Sequence, residues 1–179
     1  MQAFGARQHL QRVRPHPFPG VICHPANIGK FLRLPMSGAG VQHGPMQFGL
    51  FGGARTKPST GLEDSQGYES FIDYVVEADR LGFRHLFMVE HHFTGQGQVS
   101  SSMTVLAYLA ARTQRIRLGT AVVVLPWHNP VLVAEQAATL DLLTGGRVDL
   151  GVGKGYRKAE FSGFCIPIDE ATERFDEAM

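Results

Sequence analysis

The chain has 179 residues, 44% of them hydrophobic and 18% charged, with a net charge of +1. This is the balance of an ordinary globular domain, without the basic surplus that nucleic acid or an anionic membrane would require. No apolar run approaches the roughly 18 residues of a membrane span. Cys23 and Cys165 make no disulfide framework, so a reducing, cytoplasmic setting is expected.

Residues 1–45 stand apart from the rest. They hold no Asp or Glu, five basic residues (Arg7, Arg12, Arg14, Lys30, Arg33) and six prolines (Pro15, Pro17, Pro19, Pro25, Pro35, Pro45). Proline at that density blocks helices and central strands, and no helical or alternating period is present. The segment is expected to be a disordered or loosely packed extension, with Met46 a candidate true start. It lacks the apolar stretch of a secretory signal, and its prolines count against an amphipathic transit helix.

From Met46 the chain becomes periodic. Met46 to Phe51 reads as a short strand closed by Gly52-Gly53. Tyr68, Phe71, Ile72, Val75 and Val76 repeat at helical spacing, and Gly82 marks the stop. His85 to Val89 is a second strand. Ser100 to Ser102 offer helix caps before the stripe Val105, Leu106, Leu109, Ala110, with Arg112 and Arg115 near the helix's negative end. Ile116 to Val124 is a third, β-branched strand. Asn129-Pro130 is a cap followed by proline at the first helical position, and that helix runs to about Leu143 before Gly145-Gly146. Arg147 to Gly151 is the fourth strand. A loop follows, and Ala171 to Met179 begins a further helix.

Strands recurring every 30 to 38 residues, with helices between, predict βα units and a parallel sheet. An open doubly wound sheet and a (β/α)8 barrel both satisfy this pattern. A barrel takes about 250 residues, and the 134 from Met46 to Met179 suffice for four units.

Three segments carry candidate chemistry. Glu90-His91-His92 follows the second strand directly, placing an acid and two imidazoles at the carboxyl edge where α/β proteins keep their sites. Imidazole changes charge near neutral pH and suits proton transfer. A strand-end hydrogen-bond network is the alternative. A metal pair is disfavoured, because adjacent strand residues face opposite ways and no third ligand has suitable spacing, so no metal is expected. Gly119-Thr120-Ala121 offers small residues against which a flat ring can lie, or simply close packing within the sheet. Gly151-Val152-Gly153-Lys154-Gly155-Tyr156 resembles a phosphate cradle with an added cation, though such a run by itself is often a flexible turn. Its spacing is not the dinucleotide fingerprint.

Taken in order, these motifs resemble the bacterial luciferase-like monooxygenases. The likeness runs through Met46-Gln47-Phe48-Gly49, Glu90-His91-His92-Phe93-Thr94, Gly119 to Pro126, His128-Asn129-Pro130, Gly145-Gly146-Arg147 and Gly151 to Gly155. It implies a partial (β/α)8 TIM barrel holding the first four βα units. It also implies use of reduced FMN and O2 on a small organic substrate, with FMN supplied by a flavin reductase. By the same resemblance His91 is the acid/base, with Glu90 orienting it or holding its tautomer. Gly119, Thr120 and Ala121 lie against the flavin ring, with a non-prolyl cis peptide near Ala121-Val122. Lys154, Gly155 and Tyr156 take the flavin phosphate. Where some relatives carry a reactive cysteine this chain has Gly153, which argues against thiol chemistry there, and Cys165 is expected to be buried or incidental. Trp127 and His128 are expected to cover the rim of the barrel, and Glu135 and Asp141 to be solvated or at a subunit contact. A homo- or hetero-oligomer is implied.

Two alternatives stand beside that reading. One is hydride transfer with a deazaflavin, coenzyme F420, on the same barrel. The other is a non-catalytic half-barrel that binds a partner chain. Four strands leave two open edges, and the last helix ends without a cap, so a truncated product is expected ahead of a split gene or a self-completing dimer.

Overall fold

The structure, a computed structural model, describes residues 46–55, 64–93 and 99–179. The proline-rich segment, with Cys23, lies outside the described residues, as does Thr94 of the acid–histidine motif. In chain order the elements are β1 (Gly49–Gly52), α1 (Asp64–Leu81), β2 (His85–Met88), α2 (Ser102–Arg112), β3 (Arg117–Thr120) and β4 (Val123–Val124). They continue with α3 (Pro130–Thr144), β5 (Val148–Asp149), β6 (Val152–Gly153), α4 (Lys158–Gly163) and α5 (Ala171–Ala178). β1, β2, β3 and β5 form one sheet in that order, and every pairing is parallel. β4 pairs with β6, also parallel, in a second small sheet.

Helix boundaries follow local chemistry. The Asn129 side chain accepts the N–H groups of Val131 and Leu132 at 3.0 and 3.3 Å, and Pro130 opens α3 where no N–H is needed. Gly145 ends α3 in the left-handed conformation, φ 66°. One side of each helix is apolar. Val75 and Ala78 from α1, Leu106 and Leu109 from α2 and Leu140 from α3 pack on Leu50, Leu86, Met88 and Leu118 of the sheet. The opposite sheet face is open: Phe51 is 75% exposed.

The third and fourth strands each differ from the expected single run. β3 stops at Thr120, and the chain resumes as β4 after the cis peptide Ala121–Val122. Side-chain bonds replace the ladder there. Thr120 Oγ1 donates to the Gly151 carbonyl at 2.8 Å and accepts the Gly151 N–H at 3.0 Å. This pins the break in one strand beside the break in the other.

Two caps come from distant residues. No Ser101 side-chain bond caps α2. The Glu90 carboxylate accepts both the N–H and the hydroxyl of Ser102 instead. At the far end, Arg147 rather than Arg112 or Arg115 bonds the last turn of α2 and the chain just beyond it. It donates to Ala110 O, Thr113 O and Ile116 O at 3.1, 3.2 and 2.9 Å. Asp79 of α1 accepts the N–H groups of Gln114, Arg115 and Ile116 and so fixes the turn into β3. Asp141, expected to be solvated or at a contact, ties α3 to β5 by accepting the Val148 N–H at 3.1 Å, while Glu135 is exposed.

Gly119 sits where no side chain fits. A Cβ there would meet the Phe87 ring at 2.7 Å and the Asp149 carbonyl at 3.0 Å. Gly119→Ala is therefore expected to destabilise the fold by about 1–3 kcal/mol, read as a lower urea midpoint with an unchanged slope.

Candidate active site

β2 delivers the acid–histidine motif to a cleft at the carboxyl ends of the strands. The cleft has a volume of about 670 Å³. Phe51, Gly52, His91, Glu160, Ala121 and Val122 line it, together with Gly153, Lys154, Gly155 and Tyr156. Of the residues expected at the site, His91, Glu90, Ala121, Lys154, Gly155 and Tyr156 all reach this cleft. Gly119 and Thr120 do not line it. Both are buried within the sheet, Gly119 under Phe87 and Thr120 bonded to Gly151.

The extended backbone sends the two imidazoles to different carboxylates. His91 Nδ1 lies 3.2 Å from Glu160 Oε1, and its ring lines the cleft. His92 Nε2 lies 3.1 Å from Glu90 Oε1, with the ring packed edge-on against Phe164 and Trp127 at 4.8 and 5.8 Å. Glu90 therefore does not orient His91. Burial pushes its carboxyl pKa up, but contacts from His128, Ser102 and His92 outweigh that and hold it at about 2. Its carboxylate is held by Ser102 and His92. His128 Nε2 is 3.6 Å from Glu90 Oε1, beyond hydrogen-bond length.

Glu160 was not legible as a site residue. It lies on α4, a helix expected to be loop because six residues carry no readable period. Burial of Glu160 and Phe161 side by side is a tertiary fact. The signal in sequence was only an acid beside an aromatic in an otherwise basic stretch. Trp127 stacks on Phe164 at 5.1 Å and meets Phe161 edge-on at 5.0 Å, so it braces α4 outside the cleft. Cys165 is exposed, so of the two expectations for it, buried or incidental, burial is overturned.

Gly155, also on the lining, has φ 75°, and a Cβ there would lie 2.7 Å from a Val124 methyl and 3.0 Å from the Phe161 ring. The positive φ and this close packing both favour glycine. Lys154 Nζ contacts Thr172 Oγ1 at 3.4 Å and makes no ion pair among the described residues. No group of three or more potential metal ligands occurs among the described residues, and no helix there is long and apolar enough to cross a membrane.

Residues 46–179 match the model of the luciferase-like monooxygenase family. The chain belongs to that family. It is 53% identical over 129 residues to 4-hydroxyprotoasukamycin monooxygenase of Streptomyces nodosus subsp. asukaensis, covering 71% of this chain and 35% of that protein. It is 33% identical over 133 residues to the alkanal monooxygenase beta chain of Photorhabdus laumondii, covering 74% and 40%. The crystal structure of monooxygenase RslO1 from Streptomyces bottropensis superposes with a TM-score of 0.69 at 37% identity, over 74% of this chain and 40% of that one. The chain thus spans about two fifths or less of the length of these relatives. The α/β architecture with its parallel sheet is that of the family's barrels.

Proposed function

We propose that this chain is the first four βα units of a (β/α)8 flavin-dependent monooxygenase, using reduced FMN and O2 on a small organic substrate. The observation that carries the reading is a single cleft joining an imidazole, a wall of small residues and a glycine–lysine turn. A flat tricyclic ring fits against Ala121 and Val122. Its phosphate fits the turn at Gly155, where Lys154 supplies a cation with no carboxylate of its own. Relatives named for monooxygenase activity at 53% and 45% identity support the reaction class. The substrate lies beyond what these residues specify.

The bound flavin supplies the electrons for oxygen chemistry. The protein's own residues bind, orient and move protons. Lys154 and the Gly155 turn hold the phosphate end, with Tyr156 beside them. Val122 and Ala121 support the ring. His91, half-open to the cleft, takes and returns a proton. Phe51 and Val89 give the cleft an apolar side that limits water. Reduced flavin is supplied by a reductase. Subunit contact through α3 is supported by its outer residues Val131, Leu132, Leu142 and Leu143, all exposed.

The test is titration with FMN followed by the shift in melting temperature. Saturable stabilisation is expected, and Lys154→Ala should weaken FMN binding about tenfold, the loss of one charge-assisted contact. A larger shift with coenzyme F420 than with FMN replaces the oxygenase with deazaflavin hydride transfer. No shift with either leaves a non-catalytic half-barrel.

A further inference from the structure

We propose that Glu160 is the positioning residue of His91. It holds the neutral ring in the tautomer protonated at Nδ1, so that the Nε2 lone pair receives protons from the cleft. The argument begins at one oxygen atom. Glu160 Oε1 accepts the backbone N–H of His92 at 3.0 Å. An amide N–H only donates, so this oxygen accepts it, and an ionised carboxylate has no hydrogen to give. The same oxygen is 3.2 Å from His91 Nδ1, and the imidazole therefore donates there. Nε2 makes no hydrogen bond among the described residues, and the ring lines the cleft.

The carboxylate is well held. Glu160 is 4% exposed, and its neighbour Phe161 is 1% exposed. α4 is clamped by Phe164, which stacks on Trp127 and meets His92 and Phe93 edge-on at 4.8 and 5.2 Å. A Cβ on Gly163 would run into the Phe93 ring, so the helix sits close against the strand-end loop. The other nearby carboxylate, Glu90, is committed to Ser102 and His92. Each histidine of the pair thus has its own anion, on opposite sides of the strand end.

The proton balance follows from that geometry. An O–H acid in the cleft gives its proton to Nε2 and is left as its conjugate base. The ring becomes an imidazolium, and the Glu160 carboxylate across Nδ1–H neutralises it. Return of the proton restores the starting state, and Nδ1 keeps its own proton throughout. The catalytic meaning rests on the proposed function, whereas the tautomer does not.

The experiment reads nitrogen chemical shifts of the full chain with 15N-labelled histidine at about pH 9, where ordinary imidazoles are neutral. His91 is expected to show an Nδ1–H tautomer in about tenfold excess, the preference given by one hydrogen bond to a charged acceptor. Glu160→Leu, of similar volume, should reverse that ratio. Glu160→Gln, whose amide oxygen still accepts, should largely keep it. A native ring protonated at Nε2 overturns the proposal, and so does a Leu variant that folds with an unchanged ratio. If the Leu variant does not fold, the native and Gln spectra decide. The readout needs no cofactor, so failure of FMN binding would sink the functional reading and leave this inference standing.

Discussion

Asp79→Ala is expected to lower the unfolding free energy by about 3 kcal/mol. Asp79 is 7% exposed, and its two oxygens are fully used. Oδ1 accepts the N–H groups of Arg115 and Ile116 at 3.0 and 2.7 Å, and Oδ2 accepts that of Gln114 at 2.8 Å. Alanine strands three backbone donors, that of Ile116 in a buried position and those of Gln114 and Arg115 on exposed residues. Each loses a bond to a charged acceptor worth roughly 1.5–3 kcal/mol, of which solvent restores part. Asp79→Asn keeps the Oδ1 bonds and turns an amide N–H toward that of Gln114, so a smaller loss of about 1–2 kcal/mol is expected.

The same residue gives a pH dependence. Burial pushes the Asp79 carboxyl up, but backbone N–H groups of Gln114, Ile116 and Arg115, with the Arg115 charge, outweigh it and leave its pKa below the ordinary value. A depressed folded-state pKa means the carboxylate stabilises the fold above the unfolded value, near pH 4, and that contribution fades as pH falls through the depressed one. Urea midpoints of the native chain and Asp79→Ala should therefore lie far apart at pH 7 and converge toward pH 2. A gap that stays constant across that range would show that the ionised carboxylate is not what holds the turn.

Under the proposed flavin function, His91→Ala is expected to slow reoxidation of reduced FMN by O2 about 10²-fold, the low end of what a positioned acid or base contributes. FMN affinity should change far less, because the proposed phosphate contact is made by Lys154 and Gly155 and not by His91. His92→Ala should behave oppositely. Its side chain is 10% exposed, is bonded to Glu90 and packs against Phe164, so its removal opens a cavity and lowers stability instead. Stopped-flow traces and melting curves of both variants measure the split. Equal losses from both substitutions would mean that the pair does not divide into one reactive and one structural ring.

Much of the site was readable because strand ends announce themselves. A β-branched or apolar run followed by an acid, an imidazole or glycines places those residues at the carboxyl edge whatever the later packing, and His91, Ala121, Lys154 and Gly155 arrive there. Assignments that depended on side-chain direction did not follow. Glu90 stands beside His91 in sequence yet reaches Ser102 and His92, because successive residues of an extended chain face opposite ways. Gly119 and Thr120 share a motif with Ala121, but the chain leaves the sheet after Thr120, so only Ala121 turns to the cleft.

The alternation of strands and helices from Met46 to Thr144, the fourth strand, and the capping of α3 by Asn129 and Gly145 were determined by local sequence, since they depend on dihedral preferences and periodicity within a few residues. Which carboxylate meets which imidazole was decided only in three dimensions. Glu160 joins His91 across 69 positions, Asp79 joins Ile116 across 37, and Arg147 reaches the carbonyl of Ala110. Pairings at such separations are fixed by how helices pack on the sheet, and a residue's near neighbours carry no record of them.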